Sequence, residues 1–180
     1  QLDAVREIEV RYDADDDEFS ELPRTRSLAV NPKFFFDLDE NTSLVVGHSI
    51  SVQKRTGGDM MAIRNRPDTE HQYFEKNDSV RNVTTISFNR EFRDGRRFLA
   101  KQSFAFFNRD IETPGYRFGG GQFNSYTDLT YFRPLGKHGL VLGFSSKYDK
   151  FREDVTDAQI PARDETNAAI GGYVQDTFDI

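Results

Sequence analysis

The sequence predicts an all-β fold: an antiparallel transmembrane β-barrel, with this chain forming about eight of its strands. Three observations predict it. Stretches of about ten residues alternate apolar and polar side chains, which is the period of a strand with two unlike faces. Their connections are alternately long and polar, then short and tight. No apolar run approaches the length of a membrane-spanning helix, and mean hydropathy is -0.70. A barrel strand crosses a bilayer in about 9–11 residues and keeps polar groups at alternate positions, so its average hydropathy stays low.

The first strand is expected at Leu2–Tyr12, with Ile8, Val10 and Tyr12 opposite Glu7, Glu9 and Arg11. A polar loop, Asp13–Arg26, carries Pro23. The second strand spans Ser27–Asp37, and Leu38–Thr42 is a tight turn. The third, Ser43–Lys54, sets Leu44, Val46, Ile50, Val52 and His48 against Gly47, Ser49, Ser51 and Gln53. A long loop, Arg55–Ser79, opens with Gly57-Gly58-Asp59. The fourth strand, Val80–Phe92, aligns Thr84, Ile86, Phe88 and Phe92, and Asp94-Gly95 is a strong hairpin signal.

The fifth strand, Arg97–Arg109, sets Ala100, Phe104 and Phe106 against Lys101, Ser103 and Arg109, with Leu99 and Phe107 on the polar side. Asp110–Gln122 reads as a loop containing Pro114 and Gly119-Gly120-Gly121. The sixth strand, Phe123–Arg133, is followed by a short turn, Pro134–His138. The seventh, Gly139–Asp149, aligns Leu140, Leu142, Phe144 and Tyr148. An acidic loop, Lys150–Glu165, leads to the eighth, Thr166–Ile180, where Ala168, Ile170, Val174 and Phe178 share a face. No segment has a helical period.

The membrane form is preferred to a soluble sandwich on three grounds. The strands exceed the globular mode of about 5–6 residues. Their polar faces keep Ser, Gly, Lys, Asp and Gln, which suit a water-filled lumen. The connections segregate by length, one class for each end of a barrel. The 17 Phe and 7 Tyr argue against disorder, while the absence of Trp departs from the usual interfacial belts. With no Cys there is no disulfide, thiolate zinc site or Cys nucleophile, and a net charge of -6 argues against nucleic-acid binding. Gln1 opens directly in a β-like segment and Ile180 closes one. Residues 1–180 are therefore expected to be part of one outer-membrane barrel domain, without a plug domain.

Candidate chemistry is sparse. His48, His71 and His138 lie in a strand, a long loop and a turn, without metal-ligand spacing. Asp13, Asp15, Asp16, Asp17 and Glu18 cluster as hard oxygen ligands would, but lack the Gly and Glu of a calcium loop and read as a solvated segment. Gly119–Gly121 has no following helix or Lys to make a phosphate loop. Asp128, Lys101, Arg109 and Lys147 share the polar wall, either as a substrate path or as lumen ion pairs. Tyr73, Phe74 and Tyr116 are loop aromatics that would grip an aromatic ligand such as a catecholate, or pack the loop bases. No catalytic, cofactor or metal residue is assigned, and no enzymatic activity is expected.

Several stretches, in order, resemble the barrel of a TonB-dependent outer-membrane receptor of the ferric-siderophore type. Asn31-Pro32-Lys33 leads into Phe34-Phe35-Phe36 as the family's strand entries do. Leu44–Arg55 followed by Gly57-Gly58-Asp59 is similar to a strand running into an RxGGD loop. HGLVLGFSSKYDKF, from His138 to Phe151, resembles its H-x-hydrophobic-x-x-G strand. Gly171–Phe178, GGYVQDTF, is the most specific segment and is similar to a recurrent GxYxQDxW strand, with Phe178 in the Trp place. The resemblance covers about Asn31 to Ile180.

It implies a bacterial outer-membrane location, lipid around the barrel, an iron-siderophore or similar nutrient as ligand, and TonB as a partner through the missing plug. The departures are the absent plug and TonB box, the missing terminal aromatic, and about eight strands where a family barrel has about twenty-two. Two other readings fit the pattern. One is a small eight-stranded outer-membrane barrel with a structural or adhesive role, and the other is a soluble lipocalin-like binding protein.

Overall fold

The computed structural model describes residues 6–8, 15–64, 69–154 and 161–178. They form an antiparallel meander of β1 (Arg6–Ile8), β2 (Arg24–Val30), β3 (Lys33–Asp39), β4 (Thr42–Gly58), β5 (Phe74–Glu91), β6 (Arg97–Thr113), β7 (Tyr116–Leu135), β8 (His138–Glu153) and β9 (Glu165–Phe178). One turn of helix, α1 (Met60–Ile63), follows β4. The strands lie side by side in chain order, with β2 and β3 both beside β4. Among the described residues the sheet is therefore eight strands wide, and it is open: β1 and β9 are its edges and do not pair. The all-β antiparallel expectation holds, but these strands alone do not close a barrel.

The elements differ from expectation in three ways, and the first strand is described only in part. Of the first strand only Arg6–Ile8 is described, paired with Ser27–Thr25 on β2; the rest of Leu2–Tyr12, with Asp13, lies outside the described residues. The second strand is two pieces, interrupted at Asn31–Pro32. Its register is unbroken, since Val30 faces Ile50 and Lys33 faces Gly47 on β4. Pro32 has no N–H to give to the ladder, although its carbonyl accepts from the His48 N–H at 3.0 Å.

The strands also run beyond the expected loop boundaries. β4 continues through Gly57-Gly58 and β5 starts at Phe74, so the expected loop Arg55–Ser79 contracts to 59–73. The expected loop Asp110–Gln122 is instead a hairpin turning at Pro114–Gly115. Its glycines sit beneath side chains from neighbouring strands: a Cβ on Gly120 would meet the Phe151 ring at 2.6 Å, and one on Gly121 would meet Asn108 Oδ1 at 2.9 Å. Gly in a strand commonly marks such an approach. The alternation of long and short connections therefore fails at β6–β7. Last, α1 interrupts the all-strand pattern, and its four residues are too few to carry a helical period.

The register sorts the side chains into two faces. Leu44, Val46, Ile50 and Val52 on β4 share one with Val80, Ile86 and Phe88 on β5 and with Ala100, Phe104 and Phe106 on β6. Phe123, Leu129 and Tyr131 continue that face on β7, Leu140, Leu142, Phe144 and Tyr148 on β8, and Ile170, Val174 and Phe178 on β9. Its interior polar groups are satisfied locally. His48 Nδ1 and Thr84 Oγ1 are 3.0 Å apart, Gln102 donates to Ser125 Oγ at 3.0 Å, and Thr127 donates to Gln102 Oε1 at 2.6 Å.

This apolar belt is bounded and slanted. Beyond its upper edge come charged pairs across neighbouring strands: Lys54–Asp78 at 3.8 Å, Lys76–Glu112 at 3.6 Å and Arg117–Asp110 at 3.3 Å. Below it lie Arg90, Arg133 and His138. On β4 the belt runs from Leu44 to Val52. On β8 it runs from Leu140 to Tyr148, and Tyr148 is level with His48 through Ser125, Phe104 and Thr84. Both edges thus drop four residues across four strand-to-strand steps, one residue per strand. A rise of about 3.4 Å for each spacing of about 4.8 Å corresponds to strands tilted by roughly 35°.

Nothing covers either face among the described residues. Met60, 8% exposed, is the one buried apolar side chain among them, while Ile170 and Val174 on β9 are 82% and 71% exposed. A single-layer sheet of this kind has no core of its own, so its apolar face must be buried against something else.

Candidate functional site

The second face of the sheet is polar and holds a hollow of about 490 Å³. It is lined by Ser27, Ser51, Gln53, Asn77, Ser79, Phe107 and three arginines, Arg55, Arg81 and Arg109. Strand alternation aims these side chains to one side, and the antiparallel register brings them together. Arg55 on β4 lies opposite Asn77, Arg109 on β6 opposite Ser79, and Arg81 on β5 is flanked by Ser51 and Phe107. The Arg81 guanidinium lies 4.8 Å from the Phe107 ring centroid, and Arg109 Nε donates to Asn77 Oδ1 at 3.2 Å. Stacking and hydrogen bonding therefore orient two of the three cations.

A smaller hollow of about 260 Å³ adjoins it and shares Arg55. Phe19, Pro23, Gly57, Gly58, Tyr73 and Glu75 complete its lining. Here residues 18–20 are stitched to the end of β4. Ser20 N–H donates to Gly58 O at 3.0 Å, Gly58 N–H to Ser20 Oγ at 3.0 Å, and Met60 N–H to Glu18 O at 2.7 Å. Phe19 stacks on Tyr73, centroids 6.1 Å apart. The two hollows join an aromatic mouth to a basic wall.

Gly58 is the hinge of this mouth. Its φ is +121°, and a Cβ there would sit 2.5 Å from the Tyr73 carbonyl oxygen. Gly58→Ala is expected to cost about 1–3 kcal/mol and to increase proteolytic cleavage within 59–73, with Gly57→Ala the milder change because its φ needs no left-handed conformation. Equal proteolytic sensitivity of the two variants would contradict this.

The residues singled out by sequence are distributed differently from expectation. Lys101, Asp128, Lys147 and Arg109 do share the polar face, but they make no ion pair with one another. Lys101 lies opposite Asp128, Asp128 opposite Ser145 and Lys147 opposite Tyr126, while Arg109 belongs to the hollow nearer the far end of the strands. Asp128 accepts from Thr130 at 3.4 Å. The three aromatics separate as well. Tyr73 is at the mouth, Phe74 carries the Lys76 ammonium 4.7 Å from its ring, and Tyr116 accepts from Arg163 at 3.3 Å.

The histidines have separate partners: Thr84 for His48, Glu18 for His71 at 3.5 Å, and Asp176 for His138 at 2.7 Å. Of the acidic cluster, Asp15 and Asp17 converge with Glu21, their exposed carboxylates within 4.8 Å of one another. Asp16 and Glu18 have positive φ, 59° and 66°, and are not part of that group.

Sequence reasoning missed Arg55, Arg81 and Phe19. The usable signal was the alternation continuing past Lys54, which puts Arg55 on the Ser51 and Gln53 side of the strand.

Beyond the hollows, the last described connection is clamped to β8. Arg163 donates to Glu153 through its backbone N–H at 2.7 Å and through Nε and Nη2 at 3.0 and 2.5 Å. The Arg163 side chain, then its backbone N–H, hold the Glu153 carboxyl below its ordinary value. A carboxyl with a depressed folded pKa contributes stability above its ordinary value and loses it as pH falls through the folded one. Protection of amides 162–165 against hydrogen exchange, corrected for intrinsic rates, is expected to hold at pH 7. It should fall below about pH 4, and Arg163→Gln should remove the dependence.

No helix among the described residues is long and apolar enough to cross a membrane. No protein-family model and no curated protein matches the sequence.

Proposed function

We propose that this chain is a sector of an outer-membrane β-barrel receptor that takes up a scarce nutrient, an iron-siderophore complex, by TonB-dependent transport. The observation that carries the reading is the slanted apolar belt. Its eight residue intervals on β4 span about 27 Å, and a tilt of roughly 35° reduces this to about 22 Å along the membrane normal, near the height of a barrel's lipid-facing band. A belt that drops one residue per strand stays level in a membrane only when the strands tilt as barrel strands do.

The asymmetry of the ends fits the same reading. The turns at Glu40–Asn41, Asp94–Gly95 and Gly136–Lys137 lie just below the belt, while β4, β5, β6 and β7 continue well beyond it at the other end. Short periplasmic turns and tall outer extensions have this arrangement. Lipid would surround the belt, the open edges β1 and β9 would pair with further strands, and TonB would act through a plug outside these residues. The polar face with its aromatic mouth and basic wall would line the ligand's route, with binding and gated release as the mechanism and no covalent chemistry.

A small eight-stranded surface barrel would need β9 to pair with β1, of which three residues are described. A lipocalin-like binder would need a sealed apolar interior, and the larger hollow here is open and carries three arginines.

The test is native mass and uptake together. The protein is expected in the outer-membrane fraction at several times 20.8 kDa, and cells lacking it should lose energy-dependent uptake of a ferric chelate. A soluble protein, or a membrane species of 20.8 kDa, would overturn the receptor reading.

A further inference from the structure

We propose that Arg55, Arg81 and Arg109 form a subsite for a small ligand bearing phosphate or carboxylate groups, an inference that rests on reading their face as a water-filled barrel wall. The argument is a contrast between the two faces of the same three strands. On the outer face above the belt, β4 and β5 neutralise their lysines across the sheet, Lys54 with Asp78 and Lys76 with Glu112. On the inner face, the three guanidiniums gather round one hollow whose lining contains no carboxylate. None of the three makes an ion pair among the described residues. Glu75 lines the adjoining hollow opposite Gly57, and it forms no ion pair with Arg55.

Three cations drawn together without counter-charges repel one another, and folding gains nothing from the arrangement. An oxyanion removes that repulsion. Each guanidinium offers a planar fork that matches carboxylate or phosphate oxygens two at a time. Ser51, Ser79, Gln53 and Asn77 supply further hydrogen-bonding groups between the forks. Arg81, stacked on Phe107, and Arg109, tied to Asn77, are already oriented, so less side-chain freedom is lost on binding. The ligand is therefore a small molecule with two or more anionic groups, and neutral sugars of equal size are excluded.

The experiment is calorimetric titration of the whole protein in detergent with pyrophosphate, citrate and glucose, at low and high salt. Pyrophosphate or citrate is expected to bind with salt-sensitive affinity, the stronger of the two naming the group recognised, and glucose is not. Arg81→Gln and Arg109→Gln should each weaken binding roughly 10- to 100-fold, whereas Lys54→Gln on the outer face leaves it unchanged. Heat-modifiable electrophoretic migration of every variant reports the membrane fold separately. A protein without that migration would sink the barrel reading. A protein that keeps it, yet binds neither anion or binds them equally well without the arginines, would overturn this subsite alone.

Discussion

Phe144→Arg is expected to destabilise the protein by about 2–4 kcal/mol in a bilayer, the cost of an Arg near the midplane on a lipid-facing strand. Phe144 is the middle residue of the belt on β8, 43% exposed, between Leu129 on β7 and Gly172 on β9. Ser145→Arg, one residue along, places the same side chain on the polar face beside Asp128 and is expected to change stability by less than about 1 kcal/mol. Denaturant unfolding of the protein in lipid, followed by circular dichroism and heat-modifiable migration, measures both. The contrast carries the information, since the introduced side chain is the same in the pair and the two positions are adjacent on one strand. Equal losses would mean that both faces are packed against protein.

The second large effect is expected at Gly143. The Tyr173 ring of β9 lies directly over it, where a Cβ would overlap the ring, and the Tyr173 hydroxyl reaches Thr130 Oγ1 at 3.3 Å on β7. One aromatic side chain thus ties three strands together across a glycine. Gly143→Val forces the ring away and is expected to cost about 1–3 kcal/mol through overpacking. Amide exchange in β9 should accelerate most, because the displaced Tyr173 ring belongs to this strand. Tyr173→Ala in the same chain should recover part of the loss by removing the clash, which a general intolerance of β-branched residues at Gly143 would not allow.

How far the fold was legible follows from these same residues. Period-two alternation fixed which side of each strand is apolar, and the register later placed those sides on one face. Leu142 and Val174 meet there because alternation puts each on the apolar side of its own strand. What composition hid were the strand ends. Gly57-Gly58 and Gly119–Gly121 look like loop signals because glycine has no side chain to reveal alternation. Both runs stay in strands, Gly120 and Gly121 beneath Phe151 and Asn108 of neighbouring strands.

Pro32 acted the other way. It lies in an apolar stretch that reads as continuous, yet its missing N–H interrupts the ladder between Val30 and Lys33. The hollow was less legible still. Arg55, Arg81 and Arg109 are separated by 26 and 28 residues in sequence, and only the pairing of β4, β5 and β6 makes them neighbours. Arg109 alone stood out, grouped by alternation with Lys101, Asp128 and Lys147, which proved to be a different part of the same wall.

The most direct test of a lipid-facing belt is a spin-label scan of β6 from Phe98 to Asn108 in reconstituted bilayers. This sequence has no Cys, so each introduced Cys is unique within it. Labels at Phe98, Ala100, Gln102, Phe104 and Phe106 are expected to be accessible to oxygen and shielded from a water-soluble nickel complex, with Leu99, Lys101, Ser103, Ala105 and Phe107 showing the reverse. Nickel accessibility should rise again at Asn108, one step past the belt's edge. Uniform accessibility to the nickel complex along both sets, or oxygen accessibility without a period of two, would contradict a membrane-facing sheet.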